Sequence, residues 1–214
     1  MEEMINKTPN ISIICAPPES GKTYLIKYLL NEMFKNKKVK YGIVFCPTKF
    51  KGQYNYLPNE FIHAQYNENV LRKFYNIQIA QFLKNKNIEP AFVIFDDCIG
   101  SISFKSSFMK KIISTFRHPN ITFFFATQYI MEIPPLIRQC ASYFITFDQR
   151  IELSFNAIQK NYMPDKTIEE VEEFIEENTE DYHFILVKLN AKKKEQRYFI
   201  EKVPEKYKEI KIKY

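Results

Sequence analysis

Ala16-Pro17-Pro18-Glu19-Ser20-Gly21-Lys22-Thr23 separates two segments of different periodicity. Before it, Ile11 to Cys15 is a short apolar run that follows Thr8-Pro9-Asn10. After it, Lys22 to Phe34 carries Leu25, Ile26, Leu29, Leu30 and Met33 at helical spacing. The order is strand, tight loop, helix. Such a loop turns several backbone N–H groups onto one anion, brings a lysine to the outer phosphates of a nucleotide and offers a hydroxyl to magnesium. Gly21, Lys22 and Thr23 stand at the spacing this requires, at a helix start whose dipole favours an anion. Ala16 replaces the usual first glycine, and Pro17-Pro18 stiffen the turn without removing the later N–H donors. Residues 16–23 therefore predict a P-loop that binds ATP; the plainer alternative is a glycine-containing helix start with no ligand.

Outward from the loop, Val39 to Cys46 reads as a second strand ending at Pro47, and Asn67 to Leu83 as a helix with Val70, Phe74 and Ile77 on one face. Ala91 to Phe95, Ile121 to Ala126 and Tyr143 to Phe147 are further apolar runs of strand length, the last after the Ile133-Pro134-Pro135 interruption. Phe104, Phe108 and Ile112 mark a helix between the first two of these. Strands alternating with helices over short connections predict a three-layer α/β domain with a mostly parallel central sheet, of the RecA/ASCE kind, over residues 1–148. Residues 149–214 read as an extension packed on that core. Thr167 to Glu177 is an acidic helix with Ile168, Val171, Phe174 and Ile175 inward and a Thr167/Glu170 capping box. Tyr182 to Leu189 and Gln196 to Val203 read as an appended hairpin.

A phosphate loop that supports hydrolysis needs an acid at the end of another buried strand, near the magnesium. Ala91-Phe92-Val93-Ile94-Phe95-Asp96-Asp97 provides two. Asp96 is expected to hold the ion together with the Thr23 hydroxyl, and Asp97 to orient and deprotonate the attacking water. The alternative for this pair is a solvated turn or a helix cap. Gln128 follows the strand Ile121 to Ala126 and should emerge at the same sheet edge, where an amide can position water or sense the outermost phosphate.

Composition narrows the class. The chain has 214 residues, 45% of them hydrophobic and 26% charged, which suits one well-buried domain and a small extension. Its formal charge of +6 permits a polyanionic partner without requiring one. Cys15, Cys46, Cys98 and Cys140 have no paired spacing and read as small buried hydrophobes of a reducing compartment. Met1-Glu2-Glu3 opens no signal peptide, and no apolar run approaches the roughly 18 residues of a membrane span, so a soluble intracellular protein is expected.

Asp97-Cys98-Ile99-Gly100 matches the DxxG of GTPases, but Asn85-Lys86-Asn87-Ile88 lacks the aspartate of a guanine-reading motif and comes too early. Ser101-Ile102-Ser103-Phe104-Lys105 has no arginine of the kind a nucleoside monophosphate kinase lid carries. The combination of the P-loop, Asp96-Asp97, Arg117-His118, Gln128 and Pro134-Pro135-Leu136-Ile137-Arg138 resembles the FtsK-HerA superfamily, and within it the genome-packaging ATPases of large DNA viruses and virophage-like elements. The resemblance runs from about Ile11 to Phe147. It implies a homo-oligomeric ring that moves double-stranded DNA into a capsid, with capsid proteins as further partners, at an assembly site in the host cytoplasm or in the virion. It also implies an arginine finger supplied by the neighbouring subunit, Arg117 first and Arg138 second, although either could pair with a surface carboxylate instead. Asp97 stands where much of the superfamily has glutamate.

Three lysine clusters are candidate DNA tracks or merely solvated surface: Lys35 to Lys40, Lys105 to Lys111, and Lys192 to Lys194. Gln53 to Leu57, with Phe61 and Tyr66, reads as a satellite hydrophobic cluster, with base stacking as its alternative. The competing functions are a small-molecule kinase and a nucleotide-switched scaffold without turnover.

Overall fold

The computed structural model of the chain describes residues 1–85 and 88–209; Lys86 and Asn87 of the Asn85-Ile88 stretch, and residues 210–214, lie outside the described residues. The elements in order are α1 (Glu2–Asn6), β1 (Ile11–Cys15), α2 (Lys22–Lys35), β2 (Tyr41–Phe45), β3 (Ile62–His63), α3 (Glu68–Asn85), β4 (Ala91–Asp96), α4 (Ser107–Thr115), β5 (Ile121–Thr127), α5 (Pro135–Cys140), β6 (Tyr143–Thr146), α6 (Glu152–Tyr162), α7 (Ile168–Asn178), β7 (His183–Lys188) and β8 (Tyr198–Lys202). The strands join one sheet in the order β3-β2-β4-β5-β1-β6-β7-β8. The first six are parallel, and β7 and β8 continue the sheet antiparallel from β6. The C-terminal hairpin thus extends the sheet, Tyr143 pairing with Lys188 and Thr146 with Ile185.

β1, β4 and β5 are buried along their whole length because helices cover both faces. Alternation sorts their side chains into two layers. Ile13, Phe45, Val93, Phe95, Phe123 and Phe125 meet Leu71, Phe108, Ile112, Ile158 and Val171 from α3, α4, α6 and α7. Ile14, Val44, Phe92, Ile94 and Phe124 meet Met4 from α1, Leu25, Ile26 and Leu29 from α2, and Tyr54 and Leu57. On the first face Phe45, Phe95 and Phe125 form a near-parallel stack, at 5.5 and 5.0 Å between ring centroids, which locks the register of β2, β4 and β5. Gly42 permits the β2–β4 contact: a Cβ there would stand 2.2 Å from the Phe92 carbonyl oxygen.

Several expectations needed correction. The second strand is shorter than 39–46 because Val39 and Lys40 lead into it as connecting chain. The Pro134-Pro135 interruption starts a helix, α5, with Pro135 in its first turn, where no backbone donor is lost. Residues 152–162, assigned no element from sequence, form α6, burying Phe155, Ala157, Ile158 and Tyr162. The Thr167 capping box forms with both of its hydrogen bonds. Tyr54 and Leu57 are buried in the core, so they offer no base-stacking surface.

Candidate active site

At the carboxyl edge of the sheet, β1 ends in the loop of residues 16–21, and its central position brings its neighbours' ends to the same place. The Ala16 N–H continues the ladder to the Thr127 carbonyl at 3.0 Å. Glu19 (φ 63°) and Gly21 (φ 100°) are left-handed, and such residues turn successive N–H groups toward one side. The Ser20 hydroxyl donates to the Pro17 carbonyl at 2.8 Å and braces the turn. The first bond within α2 is Leu25 N–H to the Gly21 carbonyl, 2.9 Å. The N–H groups of Lys22, Thr23 and Tyr24 therefore precede the helical ladder and face an incoming anion, as the start of a helix dictates.

Lys22 is 6% exposed, and its ammonium sits between two carboxylates. Nζ pairs directly with Asp97 Oδ1 and lies 3.8 Å from Asp96 Oδ1. Asp97 has left-handed backbone, φ 49°, and its N–H bonds the Ala126 carbonyl at 3.0 Å, which turns the residue off the end of β4 toward β5. Gln128 Nε2 completes the group by donating to Asp97 Oδ2 at 3.1 Å. Lys22, Asp96, Asp97 and Gln128 thus meet at the ends of three adjacent strands, and Thr23 lies half-buried in the first turn of α2.

Asp96 is 2% exposed, and burial pushes its carboxyl above the usual range, with the Lys22 charge the strongest opposing influence. Its two oxygens have different surroundings. Oδ2 accepts the Tyr54 hydroxyl at 2.9 Å and the Cys46 thiol at 3.7 Å. Oδ1 is buried with no hydrogen-bond donor among the described residues, next to Lys22. An orphaned carboxylate oxygen next to Lys22, the residue before the Thr23 hydroxyl, fits a hard, oxygen-seeking cation such as magnesium. Neither Tyr54 nor Cys46 was singled out for the site from sequence. Cys46 follows the last residue of β2 and so occupies the same sheet edge, which is a readable signal; Tyr54 is 42 residues from Asp96, and nothing in its spacing links the two. Gln149 was missed as well: it is 5% exposed and donates to the Cys15 carbonyl at 3.3 Å and to Thr146 Oγ1 at 3.1 Å, tying the end of β6 to the base of the loop.

The arginines lie elsewhere. Arg117 is exposed at the amino edge of the sheet, against the Phe116 ring and lining a cleft with Glu3, Lys7, Asn10 and Lys188. The length of β5 separates it from Gln128 by about 20 Å within one chain. Arg138 is half-buried on α5, where Nη1 donates to the Ile133 carbonyl at 2.8 Å. Of the lysine clusters, Lys35 and Lys40 are paired with Glu32 and Glu89. No helix among the described residues is long and apolar enough to cross a membrane.

A model of the poxvirus A32 protein family matches residues 1–204. Uncharacterized protein 075L of Invertebrate iridescent virus 6 is 26% identical over 156 residues, covering 70% of this chain and 58% of that protein. Uncharacterized protein 015R of Frog virus 3 (isolate Goorha) is 25% identical over 133 residues, 59% of this chain and 40% of its own length. The chain spans about half the length of these curated relatives. Among solved structures, the genome packaging NTPase B204 of Sulfolobus turreted icosahedral virus 2, in complex with ATP-gammaS, has a TM-score of 0.64 at 20% identity over 90% of this chain and 96% of that one. The conjugation coupling protein TcpA of pCW3, with ATPgS, has a TM-score of 0.59 at 15% identity over 87% of this chain and 59% of that one. At these identities the two structures share the fold.

Proposed function

Since the chain belongs to the poxvirus A32 protein family, we propose that it is an ATP-hydrolysing motor that translocates double-stranded DNA and packages a viral genome into a capsid, working as a homo-oligomeric ring. The observation that carries the reading is the convergence of Lys22, Asp96, Asp97 and Gln128 on the phosphate loop. Homology to viral relatives and the fold shared with a genome packaging NTPase support it.

In this mechanism the loop N–H groups and Lys22 bind the phosphates, and phosphate competes with Asp97 for the lysine ammonium. Drawing Lys22 away leaves the Asp97 carboxylate free to accept a proton. Asp97, oriented by the Gln128 amide, takes a proton from water as the water oxygen bonds to the γ phosphorus; the bond from that phosphorus to the β-phosphate oxygen breaks, and ADP leaves. Thr23 and Asp96 would hold magnesium, which neutralises charge on the phosphates when bound. Arg117 is the finger that one subunit supplies to the next. Its place at the sheet edge opposite the P-loop suits head-to-tail packing, in which the amino edge of one copy faces the carboxyl edge of its neighbour. A cleft of about 250 Å³ beside Asp97 and Gln128 offers an entrance for it.

The test is ATP turnover with and without duplex DNA, with oligomeric mass measured in the same sample. Magnesium-dependent hydrolysis, stimulated by DNA and abolished in Lys22→Ala and Asp97→Asn, is expected. DNA-independent hydrolysis by an obligate monomer would refute the motor.

A further inference from the structure

The acidic pair and Gln128 mark the β4 side of the loop as the place of the terminal phosphate. The opposite side, toward β6, has a different surface. There Gly21, Tyr24, Phe147 and Tyr182 line a cavity of about 380 Å³ whose outer wall is Lys202, Val203 and Glu205. Its size lies in the roughly 300–1,000 Å³ range of small-molecule sites, and its lining is almost entirely apolar. Phe147 is 3% exposed and forms the floor; Tyr24 and Tyr182, 44% and 66% exposed, stand at its sides.

Two features show that these rings belong to the phosphate loop. A Cβ on Gly21 would lie 3.4 Å from Tyr182 Cδ1 and 3.6 Å from Phe147 Cε1, so both rings rest on the loop where it lacks a side chain. Tyr182 is held there by consecutive left-handed residues, Asp181 (φ 51°) and Tyr182 (φ 62°), a conformation that residues with side chains adopt at a cost. The segment that follows the outer wall is also fixed to the phosphate-loop helix. Tyr207 packs edge-on against Tyr28 at 5.1 Å, Lys27 pairs with Glu209 at 2.7 Å, and Asn31 Nδ2 donates to the Lys208 carbonyl at 3.1 Å.

We propose that this cavity is the subsite for the purine base of the nucleotide, with Tyr182 and Tyr24 as stacking surfaces and residues 202–205 as the outer wall. The proposal rests on the ATP reading above. With the last phosphate at Lys22 and Asp97, the β6 side of the loop is the side away from the acids, and the apolar cavity opens there. An apolar, aromatic-walled slot takes a flat π-system, whereas sugar and phosphate need polar partners. The second cavity beside Tyr182 suits a nucleotide poorly: Glu19, Asp148 and Asp181 line it, and its one arginine, Arg150, is already paired with Asp148. The C-terminal part of the chain thereby becomes part of the nucleotide site.

The chain has no tryptophan, so Tyr182→Trp introduces a single reporter. Its emission should change when magnesium-ATP binds and stay constant when magnesium-tripolyphosphate, which has no base, binds to the same loop. In calorimetry, Tyr182→Ala should lose about tenfold in ATP affinity, the size of one base stack, and none for tripolyphosphate. Equal losses for both ligands, no loss for ATP, or a silent reporter on ATP binding would overturn the base subsite while leaving the ATP reading intact. Failure of the unmutated chain to bind either ligand would overturn both.

Discussion

Tyr54→Phe isolates the contact that orients the buried carboxylate of the site. The hydroxyl is 2.9 Å from Asp96 Oδ2, and the ring is 1% exposed, so phenylalanine fills the same space and only the hydrogen bond is lost. Cys46 Sγ, at 3.7 Å, is then the one remaining hydrogen-bond donor to Asp96 among the described residues, and a thiol donates weakly. A hydrogen bond to a charged group contributes about 1.5–3 kcal/mol. A partner that orients a metal ligand typically accounts for about 10–100-fold in metal affinity, or about 1.4–2.7 kcal/mol, so the two routes agree. The expected outcome is a rise of that size in the magnesium concentration for half-maximal ATP hydrolysis, with kcat at saturating magnesium recovering to within a few-fold. Urea unfolding in parallel shows whether the variant keeps its fold. An unchanged magnesium dependence, or a fall in kcat that excess magnesium does not restore, would refute the assignment of Tyr54 as a positioning residue for Asp96.

Arg117→Ala should reduce hydrolysis per assembled ring by about 10³–10⁵-fold, the usual contribution of an arginine finger, and leave nucleotide affinity nearly unchanged, because within its own chain the residue lies about 20 Å from Gln128. Normal turnover by assembled Arg117→Ala rings would remove it from the mechanism. Burial pushes the Cys15 and Cys98 thiols up to about 12 and Cys46 to about 11, so at pH 8 they are protonated as well as shielded. Iodoacetamide at that pH should therefore modify half-exposed Cys140 first, without loss of ATPase activity, as followed by intact mass. Rapid labelling of Cys46 would show that the segment carrying Tyr54 opens readily.

The amino-acid order by itself determined the parts of this protein that local physics controls. The strand, loop and helix around Ala16 to Thr23 are contiguous, so spacing and periodicity suffice to define them. Asp96, Asp97 and Gln128 were legible because a parallel strand with an apolar run must deliver the residues after it to the carboxyl edge, whatever its neighbours are. The Thr167 capping box, closed within one helical turn, was legible for the same reason. Residues 152–162 were not read as an element, although Phe155, Ile158 and Tyr162 stand at helical spacing; the apolar Ile151 and Leu153 beside them are exposed, so which face is buried depends on the surface it meets. Tertiary structure alone decided that β1 sits between β5 and β6, which sets the acids on one side of the loop and Phe147 on the other. It alone brought Tyr54 to Asp96 across 42 residues, and Tyr182 to Gly21 from the far end of the chain. These contacts depend on strand order and on close packing between distant segments. No local spacing encodes either one, so these contacts stayed hidden until the sheet was assembled.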